Sequence, residues 1–165
     1  GTLGKALGSY GAYAACDAEI AELLLNTARP FIFSTAPPPP SVAAALEALT
    51  VLEEQPELPA RLLAGGETLR AALGEHGLPT PASRTQIIPI VIGDAHAALA
   101  ACERALEHGV FAQAIRPPTV PADTARLRLA VMATHDPAAL RDAAAVLAAA
   151  VRAGAPGQAV PTIVG

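Results

Sequence analysis

The chain has little lysine, little cysteine, few aromatic residues and little charge. Of 165 residues one is lysine, Lys5, against ten arginines; two are cysteine, three phenylalanine, two tyrosine and none tryptophan. Charged residues make up 16% with a net charge of −4, which excludes a basic nucleic-acid footprint and a highly charged disordered tail. Cys16 and Cys102 lie far apart with no Cys-x-x-Cys pair and no Cys/His cluster. That excludes a disulfide framework and a typical zinc site, so no metal is expected, and it suits a reducing cytoplasm. No window approaches ~18 uninterrupted apolar residues, so no membrane-spanning helix is expected. Gly4, Gly8 and Gly11 also break the apolar run before Cys16, which argues against a signal peptide.

What is present is mostly alanine, 40 residues of it, in a length that suits one domain with a buried core. Small and aromatic residues over Tyr10–Cys16 suggest a short buried strand. Asp17 is placed to cap a helix to about Ala28, ended by Arg29-Pro30, and Phe31–Thr35 reads as a strand. Pro37–Pro40 reads as an extended connector, after which Ser41 caps a helix to about Glu54. A further helix covers about Pro59–His76. The β-branched run Ile87–Ile92 around Pro89 suits an edge strand or a bulge. A helix over about Ala95–His108 ends at Gly109 as C-cap, followed by a short strand Val110–Ile115. Arg116–Asp123 is then a proline-stiffened loop. In the strand Ala125–Ala133, Arg126 and Arg128 alternate with Leu127 and Leu129, so one face is wet. Asp136-Pro137 opens a last helix to about Arg152, and the tail from Gly154 reads as loose. Strands alternating with helices indicate an α/β or α+β arrangement.

The surroundings of the lone lysine are Gly1-Thr2-Leu3-Gly4-Lys5-Ala6-Leu7-Gly8. A phosphate loop of the Walker type needs four residues between its glycine and Gly-Lys, then Ser or Thr; here two residues intervene and alanine follows, so that reading fails. A reaction that accepts lysine but not arginine is imine formation, since the amine must lose its proton to attack an aldehyde and guanidinium does not. Flanking glycines leave room for a cofactor, and Thr2 offers a hydroxyl to a phosphate. A solvated surface lysine is the bland alternative, weakened by apolar flanks and the lack of any other lysine.

This segment resembles the cofactor-lysine motif of the α-oxoamine synthases, pyridoxal-phosphate enzymes of transferase fold type I. The resemblance continues through Ala28–Thr35, Ile88–Asp94, Ala114–Pro121 and Thr124–Leu129. It implies an α/β chain formed by the C-terminal part of that fold: residues 1–51 a remnant of the large domain with the lysine loop, residues 52–165 an α+β small domain. It also implies that Lys5 carries the cofactor pyridoxal 5'-phosphate as a Schiff base and shuttles the α-proton, with Thr2 on the cofactor phosphate. Thr35, ending the Phe-Ile-Phe strand, would reach the phosphate of the neighbouring subunit in a homodimer. Arg116 would hold a substrate carboxylate and Thr119 would contact substrate. The Arg116-Pro-Pro-Thr-Val-Pro121 block points to the member that condenses L-alanine with pimeloyl-CoA in the biotin pathway, releasing CO2 and CoA.

Members carry a long segment before the lysine, supplying an aspartate for the pyridine nitrogen, a histidine stacked on the ring and most of the phosphate site. The resemblance therefore implies a fragment, inactive alone. Asp123 stands where relatives usually have glycine. Two alternatives remain open: another α-oxoamine synthase, of the glycine C-acetyltransferase or 5-aminolevulinate synthase type, or a non-catalytic small-domain module that dimerises. His135 and Asp136 read as a helix-start pair rather than an acid–base pair. His76, His96 and His108 read as surface residues.

Overall fold

The computed structural model describes residues 1–78, 80 and 83–154. The expected loose tail therefore lies, beyond Gly154, outside the described residues. The chain divides into two compact units, one from Gly1 to Pro56 and one from Glu57 on.

The first unit holds three helices, α1 (Ala18–Thr27), α2 (Arg29–Ile32) and α3 (Pro39–Glu54). Two expected strands are absent from it. Residues 10–16 are irregular and largely exposed, apart from the isolated bridge between Thr2 and Ala12. A strand needs a neighbour for its backbone groups, and among the described residues only that one bridge is made. Arg29–Ile32 is a helical turn rather than a lead-in to a strand. Pro30 sits in its first turn, where a missing N–H costs nothing, and the Ala28 carbonyl accepts from Phe31 and Ile32 N–H at 2.9 and 3.0 Å. Thr35 thus lies in an extended stretch between α2 and α3 instead of at a strand end. α3 begins at Pro39, not Ser41: the prolines preset φ for the first turn, so the helix starts inside the proline run. Asp17 occupies the N-cap of α1 but makes no side-chain cap bond.

Burial in this unit is slight. Neither α1 nor α2 buries a residue, α3 buries only Ala45, and Leu23, Leu25, Phe31, Phe33, Leu46 and Leu49 are exposed. The helical spacing of leucines along α3 therefore marks an apolar face with no core of its own beneath it.

The second unit runs α4 (Leu58–Glu75), β1 (Ile87–Gly93), α5 (Ala95–Glu107), β2 (Gln113–Ile115), β3 (Ala125–Ala130) and α6 (Pro137–Gly154). The strands form one antiparallel sheet in the order β1-β3-β2. β1 is an edge strand, as Pro89 requires, with an irregularity between Val91 and Gly93. α4 and α5 both pack on α6, and α5 also lies against the sheet. The reason is visible in the spacing. On α6 the buried residues are Leu140, Ala144, Leu147, Ala148, Ala150 and Val151, and on α5 they are Ala98, Ala101 and Ala105, one stripe each. Alanine at the contact lets the helix axes approach closely. The sheet contributes Ile88, Ile90, Leu127 and Leu129 from one face. Asp94 and Asp136 stand at the starts of α5 and α6 and accept from Ala97 N–H (2.7 Å) and from Ala138 and Ala139 N–H (3.1 and 3.2 Å). The His108 C-cap is followed by Gly109 at φ +81°, as the sequence suggests.

Candidate functional site

Lys5 sits on a loop closed by its own backbone. Tyr13 N–H donates to the Gly1 carbonyl at 3.0 Å, Leu3 N–H to Gly11 at 2.9 Å and Ser9 N–H to Leu3 at 2.9 Å. Inside that frame Gly8 N–H donates to the Lys5 carbonyl at 3.0 Å, closing a turn that starts at the lysine. Gly8 takes φ +57°, a conformation that side-chain-bearing residues rarely adopt. Lys5 Nζ donates to Thr2 Oγ1 at 3.1 Å, so the amine and the hydroxyl singled out in the sequence form one pair, both exposed. Ser9, which the sequence reading passed over, ties this loop to α3: its hydroxyl donates to the Ser41 carbonyl. Thr35 is exposed and makes no side-chain hydrogen bond among the described residues, so nothing bonds it to the Lys5–Thr2 pair.

In the second unit Arg116 and Thr119 are brought together by a turn. Thr119 N–H donates to the Arg116 carbonyl at 3.0 Å across Pro117-Pro118, whose peptide is cis. Thr119 then lines an open hollow on the face of the sheet opposite the core, with Val120, Ile87, Pro89, Ile115, Arg126 and Arg128. Ser83 and Thr85 form its remaining wall. Arg116 is exposed but is not part of that lining. The lining is largely aliphatic and its charge is positive. Arg126 is half-buried and spends its Nε on the Thr124 carbonyl at 2.9 Å, whereas Arg128 is exposed.

The sequence reading took Arg126 and Arg128 only as the wet side of a strand. The signal lay in the alternation itself: two guanidiniums two residues apart on one face of a strand point the same way, beside the Pro89 strand.

The wall residues are held from α4. Arg70 Nη1 donates to the Thr85 carbonyl at 2.7 Å, and its Nη2 to Glu67 Oε1 at 2.8 Å. The Arg70 guanidinium beside Glu67 holds that carboxyl below its ordinary value, by hydrogen bonding first and by charge second. His135 Nδ1 accepts from Met132 N–H at 3.2 Å in the turn before α6. Among the described residues no helix is long and apolar enough to cross a membrane, and no three His, Cys, Asp or Glu side chains could share a metal ion.

Comparison with known proteins gives these residues a context. The model of the family Aminotransferase class I and II matches residues 1–147. The 8-amino-7-oxononanoate synthase of Geobacter sulfurreducens is 51% identical over 150 residues, covering 90% of this chain but 38% of that protein. The chain thus spans well under half the length of this relative. Among solved structures, SPT with a PLP internal aldimine superposes with a TM-score of 0.86 at 27% identity, covering 93% of this chain and 39% of the other. The 8-amino-7-oxononanoate synthase of Francisella tularensis superposes at 0.78 with 27% identity, covering 92% and 44%.

Proposed function

From a chain that belongs to the class I and II aminotransferase family, we propose the C-terminal part of a pyridoxal-phosphate-dependent acyltransferase. The reaction joins L-alanine to pimeloyl-CoA, releases CO2 and CoA, and yields 8-amino-7-oxononanoate for biotin synthesis. The observation that carries this reading is the pairing of the chain's one lysine with Thr2 at 3.1 Å in a glycine-framed loop.

The residues present fit the cofactor. Lys5 has no carboxylate partner, since the ion pair among the described residues is Arg70–Glu67. Its amine is therefore available for an aldehyde, and the Thr2 hydroxyl for a phosphate oxygen. Thr35 is a second phosphate donor, acting across a homodimer in the cytoplasm. When bound, the cofactor supplies an electron sink for the charge left at the amino acid's Cα. Lys5 takes the α-proton and returns one to the product. Arg116 holds the alanine carboxylate through a planar fork of donors. The hollow beside Thr119 takes the acyl chain against Ile87, Pro89, Ile115 and Val120, with Arg128 for its distal carboxylate.

The unit from Gly1 to Pro56 represents the end of the large domain and the unit from Glu57 on the small domain. α3 (Pro39–Glu54) spans residue 51. The exposed aromatic and leucine side chains of the first unit are the surface that the rest of a large domain would cover.

The test uses the full-length protein. With pyridoxal phosphate it should turn over alanine with pimeloyl-CoA faster than glycine or serine, and Lys5→Ala should remove both the cofactor's visible absorption and turnover. The isolated chain should show neither. A preference for glycine, or a Lys5-dependent band with activity in the isolated chain, would overturn the reading.

A further inference from the structure

The lysine loop is bonded mostly to itself. Its backbone bonds join Gly1 to Tyr13, Leu3 to Gly11, Leu3 to Ser9 and Lys5 to Gly8. Such bonds shape the loop but fix it to nothing else. Among the described residues one hydrogen bond leaves it: the Ser9 hydroxyl donates to the Ser41 carbonyl, 32 residues away in sequence, in the first turn of α3. Ser9 is half-buried, although Thr2, Lys5 and Gly8 are exposed. The side of α3 that it meets carries small residues at helical spacing. Ser41 and Ala48 are half-buried, and Ala45 between them is the one buried residue of the helix. The acceptor is a backbone carbonyl, so Ser9 supplies the only side chain of the tie. Ser9 is also joined to the flank of the lysine. Its N–H donates to the Leu3 carbonyl at 2.9 Å, and a Cβ on Gly4 would stand 3.4 Å from its carbonyl oxygen. A displacement of Ser9 is therefore passed to Leu3 and Gly4, the two residues between Thr2 and Lys5.

We propose that Ser9 is a positioning residue for the cofactor site: from the lysine loop it reaches α3 and fixes the place of the Lys5 amine and the Thr2 hydroxyl against that helix. The proposal rests on the pyridoxal-phosphate reading above. The cofactor offers an aldehyde to the amine and a phosphate to the hydroxyl, so one rigid ligand must meet both groups at once. A loop already anchored pays less ordering entropy when that ligand arrives. Ser9 itself presents no group to the cofactor, because its hydroxyl is occupied by Ser41. Its loss should leave the backbone bonds of the loop in place, free the loop from α3 and lower cofactor affinity.

The experiment compares Ser9→Ala, Ser9→Cys and Ser9→Thr in the full-length protein, with pyridoxal phosphate titrated into the apoprotein and followed by its visible absorption. Loss of one hydrogen bond should weaken cofactor binding about three- to ten-fold in Ser9→Ala, while Ser9→Thr, which keeps the hydroxyl, should bind within about two-fold of the parent. Without cofactor, hydrogen exchange at the Leu3 and Ser9 amides should quicken in Ser9→Ala and stay near the parent rate in Ser9→Thr. The amides of α6 should exchange at the same rate in all, whereas a merely structural role would lower protection there as well. Ser9→Cys, whose thiol is a weak donor, should fall between the two and replaces Ser9→Ala if that variant does not fold. Unchanged affinity in Ser9→Ala, in a parent that binds through Lys5, overturns the proposal alone. An equal loss in Ser9→Thr does so too, as does faster exchange that extends to α6. A parent whose visible absorption does not depend on Lys5 overturns the pyridoxal-phosphate reading and the proposal with it.

Discussion

Pro89 and Arg128 are paired across the antiparallel strands β1 and β3, and both line the hollow on the sheet's outer face. The pairing joins a backbone constraint to a charge. Pro89 has no N–H to give, which suits the place of β1 at the sheet edge, and Arg128 on the central strand β3 is exposed on the sheet's outer face. A guanidinium there can receive an anion without first breaking an ion pair, since the ion pair among the described residues involves Arg70.

On the acyltransferase proposal, Arg128→Ala in the full-length protein should weaken binding of pimeloyl-CoA by the worth of a charge-assisted hydrogen bond, about 1.5–3 kcal/mol, or roughly ten- to a hundred-fold in KM. An acyl-CoA of the same chain length without the distal carboxylate should be bound almost equally by the parent and the variant. Steady-state kinetics with the two thioesters checks this. Equal losses for both would assign Arg128 to some other part of the substrate.

Asp136→Ala should cost about 1 kcal/mol of stability, the usual worth of an N-cap, because one carboxylate oxygen accepts from both Ala138 and Ala139 N–H at the start of α6. α6 carries Leu140, Leu147 and Val151 into the core, so its first turn is coupled to the main packing surface. Asp136→Asn should retain most of the stability. Denaturant unfolding of the three proteins measures the difference. Asp17→Ala is the contrast: its side chain makes no cap bond and the expected change is small.

The two aspartates show how far the sequence could be read. Asp94 and Asp136 each precede a helix whose apolar stripe is buried, so local signal and tertiary packing agree, and both caps form. The helices of the second unit and the strand around Pro89, read as an edge strand or a bulge, were legible for the same reason, whereas Arg116–Asp123 was legible only as a proline-stiffened loop and not as the turn that joins Arg116 to Thr119. In the first unit the same kinds of signal misled. Phe31-Ile32-Phe33 has the composition of a strand, yet Pro30 fits the first turn of a helix and, among the described residues, no neighbouring strand competes for the backbone. Tyr10–Cys16 fails likewise, with one bridge where a ladder would be needed. The Lys5–Thr2 pair was legible because the two residues are three apart on one loop. The Arg70–Thr85 tie was not, because it joins α4 to a segment 15 residues later through a backbone carbonyl, which no residue type announces.

The Glu67–Arg70 pair also predicts a pH dependence whose sign can be worked out. The folded-state pKa of Glu67 is lowered from 4.5, chiefly by its hydrogen bond from Arg70. A carboxyl with a depressed folded-state pKa binds its proton less readily folded than unfolded. Its contribution is therefore fully present above about pH 4.5 and is lost as the pH falls through the lower folded value. Glu67 is well exposed, which keeps the effect small and sensitive to salt. The stability difference between the parent and Glu67→Gln should stay level from neutral pH down to the ordinary carboxylate range, then shrink below it. Added salt should reduce the plateau. Melting curves across that range, at low and high salt, measure it. A difference that grew on acidification would mean that the carboxylate burdens the fold, and that Arg70 reaches Thr85 in spite of Glu67 rather than with its help.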